Sequence, residues 1–274
     1  MDFNMDNRPI GVFDSGLGGL TAVKTIMKEF PNESVVYFGD TSRVPYGSRS
    51  PETILRYTHS DINFMRSFDV KMIIIACGTA SSVALPTVKR ENEDIPITGV
   101  VDATVYAAVR ATKNKKIGVI GTAGTIKSGS YEKLIKEYDS DIEIHKRACP
   151  LFVPLVENGH FDTEVARLVT EEYLEDIKKA EVDTLILGCT HYPLLKRVIG
   201  KYMGEHVRLI DPSEETVLYL KKKLGTDMLH DAVPDAEQYR YFVSDDPQSF
   251  AENGSIFLAK EINGQVEKID IEKY

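Results

Sequence analysis

The chain has 274 residues, of which 42% are hydrophobic and 27% are charged, proportions typical of a folded globular protein. Its 33 Lys and Arg against 42 Asp and Glu give a formal charge of −9, which argues against a nucleic-acid surface and leaves any anionic ligand to a local pocket. No apolar run approaches the ~20 residues of a membrane span, and the polar start MDFNMDNRP has no signal-peptide core. We therefore expect a cytoplasmic protein that binds neither membrane nor nucleic acid.

Short segments rich in Val and Ile alternate along the chain with amphipathic helical patterns. The predicted strands are Ile10–Phe13, Val35–Phe38, Met72–Ala76, Ile117–Ile120, Thr184–Leu187 and Arg208–Ile210. The predicted helices include Leu20–Glu29, Pro51–Ser67, Tyr131–Glu137 and Thr163–Lys179. Continuous apolar strands that alternate with helices predict an α/β protein with parallel sheets, whereas the tail Tyr239–Tyr274 has only a weak pattern.

Two pairs of these segments resemble each other in the same order. The string IGVFDSGLGG, which begins at Ile10, resembles IGVIGTAG, which begins at Ile117. The string MIIIACGT around Cys77 resembles LILGCT around Cys189, at nearly the same displacement along the chain. The pairs predict two similar parallel-sheet α/β domains related by pseudo-twofold symmetry, with chance similarity among buried strands as the alternative. We expect the first domain to contain residues 1–99 and 211–274, and the second domain residues 100–210.

Ligands of parallel sheets bind beyond the carboxyl ends of the strands, so we expect the active site in the cleft between the two domains. Cys77 and Cys189 each follow a predicted strand and would approach this cleft from opposite sides. Asp14 precedes a glycine-rich turn that suits a carboxylate ligand, although a lone Asp at a strand end is more commonly a helix cap.

The three cysteines, Cys77, Cys149 and Cys189, are too widely spaced for a disulfide framework or a zinc site, so we expect no bound metal. An isolated intracellular cysteine is commonly a small buried hydrophobe, and Cys149 is interpreted in this way. Cys189 lies two residues before His191, and a nearby imidazolium favours ionisation of a thiol. A structural cysteine beside a surface histidine is the alternative interpretation.

Two further segments contain candidate ligands of a carboxylate. The turn-rich loop Val44–Ser48 offers backbone N–H groups and the Ser48 hydroxyl, although an ordinary surface turn has the same composition. Glu157 follows a predicted helix end and is either a solvated charge or a carboxylate of the cleft.

The strings DSGLGG, GDTSRVPYG, ACGTASS, IGVIGT, CPLFVPLVE and GCTHYPLL occur between residues 10 and 195, followed by LIDP at 209–212. Their order and spacing resemble those of bacterial glutamate racemases. The resemblance implies two α/β domains, a site between them, no pyridoxal phosphate or other cofactor, and D-glutamate supplied for peptidoglycan. It implies glutamate as the substrate, and an acidic enzyme of this size is commonly a homodimer.

The resemblance also implies roles for individual residues. Cys77 is expected to remove the α-proton from D-glutamate and Cys189 to remove it from L-glutamate, and the opposite thiol returns a proton. Asp14 resembles the partner of Cys77, His191 the partner of Cys189, and Glu157 a carboxylate near the site. The positions that resemble substrate-binding residues are Asp14, Ser15, Pro45, Tyr46, Gly47, Ser48, Gly78, Thr79, Thr122 and Thr190.

One of these positions departs from the family pattern, because relatives commonly carry Asn directly after the first cysteine and this chain carries Gly78. If the substrate group that binds the Asn amide in relatives stays unpaired in this chain, the loss of that contact costs about 1–3 kcal/mol.

Three other functions stay open on the sequence alone. Aspartate racemases of the same superfamily generally carry Glu at the position of His191. A Cys–His hydrolase, in which Cys189 attacks a carbonyl carbon, leaves Cys77 and the internal repeat without a role. A non-catalytic amino-acid-binding protein needs no pair of thiols.

Overall fold

The computed structural model describes residues 6–224 and 238–274, which form two fully parallel β-sheets flanked by helices. The first sheet contains β1 Ile10–Asp14, β2 Val35–Gly39, β3 Met72–Ile75, β4 Ile97–Gly99, β9 Tyr239–Val243 and β10 Val266–Lys268. The second sheet contains β5 Lys116–Gly121, β6 Glu143–Ala148, β7 Thr184–Leu187 and β8 Arg208–Ile210.

Twelve α-helices in the described residues connect these strands. They are α1 Leu20–Glu29, α2 Pro51–Arg66, α3 Gly78–Val83, α4 Leu85–Glu91, α5 Val100–Ala111, α6 Ala123–Ser128, α7 Ser130–Tyr138, α8 Phe152–Glu157, α9 Glu164–Lys179, α10 Lys196–Met203, α11 Pro212–Leu224 and α12 Pro247–Leu258. None of the helices in the described parts of the chain has the length and apolar character that crossing a membrane requires.

The two sheets repeat one arrangement of strands. The order is β10-β9-β2-β1-β3-β4 in the first sheet and β6-β5-β7-β8 in the second, so β2-β1-β3-β4 corresponds to β6-β5-β7-β8. The register repeats as well, since Ile10 faces Met72 in the first sheet and Ile117 faces Thr184 in the second. These are equivalent positions of the similar strings found in the sequence. The predicted class, two similar parallel-sheet α/β domains, is confirmed.

Local chemistry explains where the main elements begin and end. Strands β1, β2, β3 and β7 are buried along their whole length, as their continuous apolar runs predict. The Ser50 side chain caps α2 by accepting the N–H of Thr53, and Thr163 caps α9 by accepting the N–H of Ala166. Both helices therefore start where the sequence predicted within one residue.

The segment after residue 238 returns to the first sheet, where β9 pairs with β2 and β10 pairs with β9. This sheet membership supports the predicted division into residues 1–99 with 211–274 and residues 100–210, whose bounds stay a prediction. Residues 1–5 and 225–237 of that predicted first domain lie outside the described residues.

One hydrophobic core joins the two halves of the molecule. Its largest cluster includes Leu20 and Ile74 from the first half, and Leu185 and Leu195 from the second. Helix α11 packs against both α1, which follows the first strand of the first sheet, and α5, which precedes the first strand of the second sheet. The halves are thus held together by packing as well as by the connecting chain.

Candidate active site

A cavity of about 310 Å³ lies where the carboxyl ends of the two sheets meet. Of the predicted site residues, those that line it are Ser15, Pro45, Tyr46, Gly47, Ser48, Cys77, Gly78, Thr79, Thr122, Glu157, Cys189, Thr190 and His191. Gly16 and Val44, which lie in segments that the sequence analysis selected, also line it, and the lining residues that sequence reasoning missed are Ala123, Pro150, Val153 and Pro154. The apolar ones among these have no chemical signature, and only the packing of α8 over the cavity brings Pro150, Val153 and Pro154 to it.

Cys77 and Cys189 reach the cavity from equivalent places in the two halves. Each cysteine follows its strand by two residues, Cys77 after β3 and Cys189 after β7. Both side chains line the cavity, are largely buried and are free thiols. The structure therefore places both thiols in one cleft, as the sequence predicted.

Cys77 lies in surroundings that favour the neutral thiol. Its Sγ donates to the Ser15 hydroxyl over 3.7 Å and accepts the backbone N–H of Ala80 over 3.5 Å. Burial of the sulfur, and then the negative charge of Asp14, raise the pKa of the Cys77 thiol to about 12. In the unliganded site Cys77 therefore carries its proton at neutral pH.

Asp14 stands behind the cavity wall rather than in it. Its side chain is fully buried and is not part of the lining, and its direct contact with the substrate stays a prediction. Asp14 accepts the N–H of Gly16 at 3.1 Å and the Thr190 hydroxyl, from the other half, at 3.3 Å. Burial raises the pKa of Asp14, and its charge acts on Cys77 through space.

Cys189, His191 and Glu157 form a continuous chain of contacts. The Cys189 Sγ lies 3.9 Å from the His191 Nδ1, and the His191 Nε2 lies 3.0 Å from the Glu157 Oε1. Burial opposes a charge on the ring, but the bonds to Cys189 and Glu157 outweigh it and raise the pKa of His191 to about 10. His191 is therefore a cation at neutral pH, and it favours a negative charge on the neighbouring sulfur.

The loop at residues 44–48 forms one wall and touches the second half. Its Tyr46 hydroxyl donates to Asp40, away from the cavity, so Tyr46 offers its backbone rather than its hydroxyl to a ligand. A Cβ at Gly47 would lie 2.7 Å from the Cβ of Thr122, and glycine is what permits this contact. The hydroxyls of Thr79 and Thr122 also meet across the two halves, 2.9 Å apart.

The space beside Gly78 is filled by backbone of the opposite half. A Cβ at position 78 would lie 2.5 Å from the carbonyl oxygen of Gly188, closer than real Cβ atoms approach any atom. The Asn that the family resemblance leads us to expect here does not fit this backbone unless the two strand ends separate. Gly78 thus permits the close approach of the strand ends that carry the two cysteines.

The third cysteine and the charges around the cavity complete the site. Cys149 is fully buried, donates to the Arg147 carbonyl and is not part of the lining, which fits its interpretation as structural. Among the described lining residues there is neither Lys nor Arg. Across residues 6–224 and 238–274, no group of three or more His, Cys, Asp or Glu is arranged to hold a metal ion.

Two repeated parallel α/β sheets with one cavity between them, lined by a cysteine from each, define a class of protein with its site between two similar halves. Residues 19–220 match the family model described as Asp/Glu/Hydantoin racemase. A glutamate racemase from Geobacter metallireducens is 47% identical over 268 residues, which cover 97% of each chain. The chain therefore belongs to the Asp/Glu/hydantoin racemase family, and the resemblance found in its motifs is confirmed.

Solved structures agree with this assignment. The crystal structure of glutamate racemase from Francisella tularensis in complex with D-glutamate has a TM-score of 0.89 and 38% identity, covering 98% of this chain and 100% of that chain. An aspartate racemase from Picrophilus torridus has a TM-score of 0.54 at 20% identity, covering 78% of this chain and 93% of that chain. The second likeness shows the fold alone.

Proposed function

We propose that this chain is a glutamate racemase that interconverts L- and D-glutamate by a two-cysteine 1,1-proton transfer. The observation that carries the proposal is that Cys77 and Cys189 line one cavity from equivalent ends of two repeated sheets. Glutamate is supported as the substrate by the relative from Geobacter metallireducens and by the Francisella tularensis enzyme, both named glutamate racemases.

Racemisation requires a base on one face of Cα and an acid on the other. From L-glutamate, the Cys189 thiolate removes the α-proton, and the electron pair of the broken C–H bond moves into the α-carboxylate. The Cys77 thiol then gives its proton to the opposite face, which leaves a thiol at Cys189, a thiolate at Cys77 and D-glutamate. From D-glutamate the two roles are exchanged. The thiols perform both transfers, so the proposed reaction uses no cofactor.

The surroundings of the two sulfurs support this division of labour. The His191 cation stabilises the thiolate at Cys189, and the raised pKa of Cys77 keeps that group protonated. Cys77 therefore suits the role of the acid that completes the conversion of L-glutamate, and the nearby cation favours Cys189 as the base. Glu157 holds the outer nitrogen of His191 and keeps the ring in place.

The substrate carboxylates are held by neutral donors. Hydroxyls of Ser15, Ser48, Thr79, Thr122 and Thr190 line the cavity, and no Lys or Arg does so among the described lining residues. Donors fixed in a cavity with little water stabilise the charge that develops on the α-carboxylate as the proton leaves.

The family resemblance also supports a cytoplasmic enzyme that supplies D-glutamate for peptidoglycan. A homodimer is proposed from the size and acidity of the chain, and sedimentation equilibrium of the purified protein measures this directly.

The experiment that tests the function is incubation of each glutamate enantiomer in D₂O without added cofactor, with each aspartate enantiomer in parallel. We expect product of the opposite hand that carries deuterium at Cα, from glutamate far faster than from aspartate. Faster turnover of aspartate would identify an aspartate racemase. Absence of both exchange and racemisation would indicate a binding protein.

A further inference from the structure

Four polar side chains form a buried cluster behind the cavity wall, and only one of them, Tyr46, belongs to the site described so far. The Arg43 Nε donates to the Asp40 Oδ2 at 2.6 Å, and its Nη2 donates to the Asp61 Oδ1 at 2.8 Å. The Tyr46 hydroxyl donates to the Asp40 Oδ2 at 2.5 Å and lies 3.0 Å from the Asp61 Oδ2. Asp40 and Asp61 are fully buried, and Arg43 and Tyr46 are almost so.

This cluster attaches the cavity wall to the body of the first half. Asp61 belongs to α2, whereas Tyr46 belongs to the 44–48 loop and Arg43 directly precedes it. Ser244, which follows β9, donates to the Asp40 Oδ1 and accepts the N–H of Ser42, each at 2.9 Å. Of the four cluster residues, only Tyr46 also lines the cavity. The loop is therefore fixed from behind by the cluster, while its Gly47 touches Thr122 in front.

The hydrogen bonds and charges of the cluster are best satisfied when one of its two carboxyl groups is protonated. A phenol has one hydroxyl proton, so Tyr46 cannot donate fully to both Asp40 and Asp61. Two carboxylates beside the single buried guanidinium of Arg43 would also leave an uncompensated charge; the nearby Glu272, 3.9 Å from Arg43, is itself an exposed anion. Burial, followed by the charge of Asp40, raises the pKa of Asp61 well above its ordinary value. A protonated Asp61 donates to the Tyr46 oxygen and still accepts from Arg43.

We propose that Asp40, Arg43, Tyr46 and a protonated Asp61 form a neutral clamp that holds residues 44–48 in the conformation that binds the substrate carboxylate. The clamp residues are positioning residues, and this role rests on the function proposed above. Because the clamp acts through the loop, its loss should weaken substrate binding more than it slows proton transfer.

Two conservative variants separate the two carboxyl groups. Asp61→Asn imitates the protonated acid, since its amide donates to Tyr46 and its carbonyl oxygen accepts from Arg43. Asp40→Asn removes the charge that compensates Arg43. We expect KM for glutamate to stay near the wild-type value in Asp61→Asn and to rise about tenfold or more in Asp40→Asn, with a smaller change in kcat. A larger KM in Asp61→Asn than in Asp40→Asn would overturn the assigned proton.

A pair of tyrosine variants provides a matched control if Asp40→Asn does not fold. Tyr46→Phe keeps the ring and removes the hydroxyl that joins the two carboxyl groups. The Tyr57 ring lies 4.4 Å from the Arg43 guanidinium and 5.4 Å from the Tyr46 ring, and Tyr57→Phe keeps both contacts. We expect a raised KM in Tyr46→Phe alone. An equal effect in both variants would point to general packing and contradict the clamp.

Hydrogen–deuterium exchange of peptides that contain residues 44–48 tests the clamp without reference to activity. We expect faster exchange in Asp40→Asn and Tyr46→Phe than in the wild type and Asp61→Asn. If the wild type does not racemise glutamate but this pattern holds, the proposed function fails and the clamp stands. If the wild type racemises glutamate but the exchange and KM of Asp40→Asn and Tyr46→Phe are unchanged, the clamp fails.

Discussion

Cys77 and Cys189 occupy equivalent positions, but their neighbours differ in kind. The shift along the chain that places Cys77 on Cys189 also places Gly78 on Thr190 and Thr79 on His191. The second half therefore has a cationic ring where the first half has a hydroxyl. The proposed mechanism needs one group that gives a proton and one that takes it, and the unlike neighbours of Cys77 and Cys189 fit that requirement.

Replacing either of these cysteines should abolish interconversion. Cys77→Ser and Cys189→Ser substitute a much weaker acid at one face of Cα, so we expect kcat to fall about 10²-fold or more in both directions. Circular dichroism of the glutamate solution follows the reaction. Cys149→Ala, at the buried cysteine outside the cavity, is the control and should keep kcat near the wild-type value. Full activity in either serine variant would disprove the mechanism.

The His191 ion pair makes stability depend on pH in a defined direction. The folded state raises the pKa of His191 from 6.5 to about 10, so it binds the proton more tightly than the unfolded state does. This contribution is fully present below pH 6.5 and is lost as the pH rises to about 10. Urea unfolding of the wild type should show the loss, and His191→Asn should show a shallower change over the same range. Equal pH dependence in the two proteins would contradict the ion pair.

At the level of elements, the strand ends that carry the cysteines meet through glycine. Gly78→Ala puts a methyl group 2.5 Å from the Gly188 carbonyl oxygen and pushes these ends apart. We expect a loss of about 1–3 kcal/mol in the free energy of unfolding, together with a lower kcat. Gly200→Ala, within α10, is the matched control, because its methyl group would lie 3.6 Å from the Leu209 side chain. That variant should be neutral or slightly stabilising, and a similar loss in both would argue against a strained contact at Gly78.

The interior strands were predictable because their apolar runs are buried on both faces, as in β1 and β3. Of the edge strands, β8 was predicted, but β4, β6 and β10 were not. Strand β6, with the sequence EIHKRA, is partly exposed throughout, and β4 and β10 have only three residues each. Strand β9 lies inside the sheet, but its YRYFV sequence mixes aromatic residues with Arg and lacks the Val- and Ile-rich run.

The same contrast holds for the site. Residues that directly follow strands, such as Cys77, Ser15 and Thr122, were predictable because parallel strands deliver them to one edge. Asp61 and Ser244, which hydrogen-bond to residues 40–46, were not predictable. They lie in α2 and after β9, far away in the sequence, and reach residues 40–46 only in the folded chain. Asp14 was predicted as a substrate ligand because the sequence alone does not show whether a residue after a strand lines a cavity or lies behind the residues that line it.

For the whole molecule, the shared core predicts a single unfolding transition. Val217 in α11 is fully buried in the cluster that joins both halves, whereas its neighbour Leu218 is 39% exposed. We expect Val217→Ala to lower the free energy of unfolding by about 2 kcal/mol, and Leu218→Ala to change it by about 0.5 kcal/mol or less. Urea titrations followed by far-ultraviolet circular dichroism and tyrosine fluorescence should coincide in both variants. Two separate transitions would indicate halves that unfold independently.

The repeated strand order and register also have a consequence for ancestry. A half-length chain with one cysteine at this strand end, paired with a second copy about a twofold axis, places two identical sulfurs across one cavity. In such a symmetric pair the two sulfurs have identical neighbours, so only the charge of one sulfur on the other separates their two ionisation steps. In a single chain the two halves can differ, and here Thr190 and His191 follow Cys189 where Gly78 and Thr79 follow Cys77.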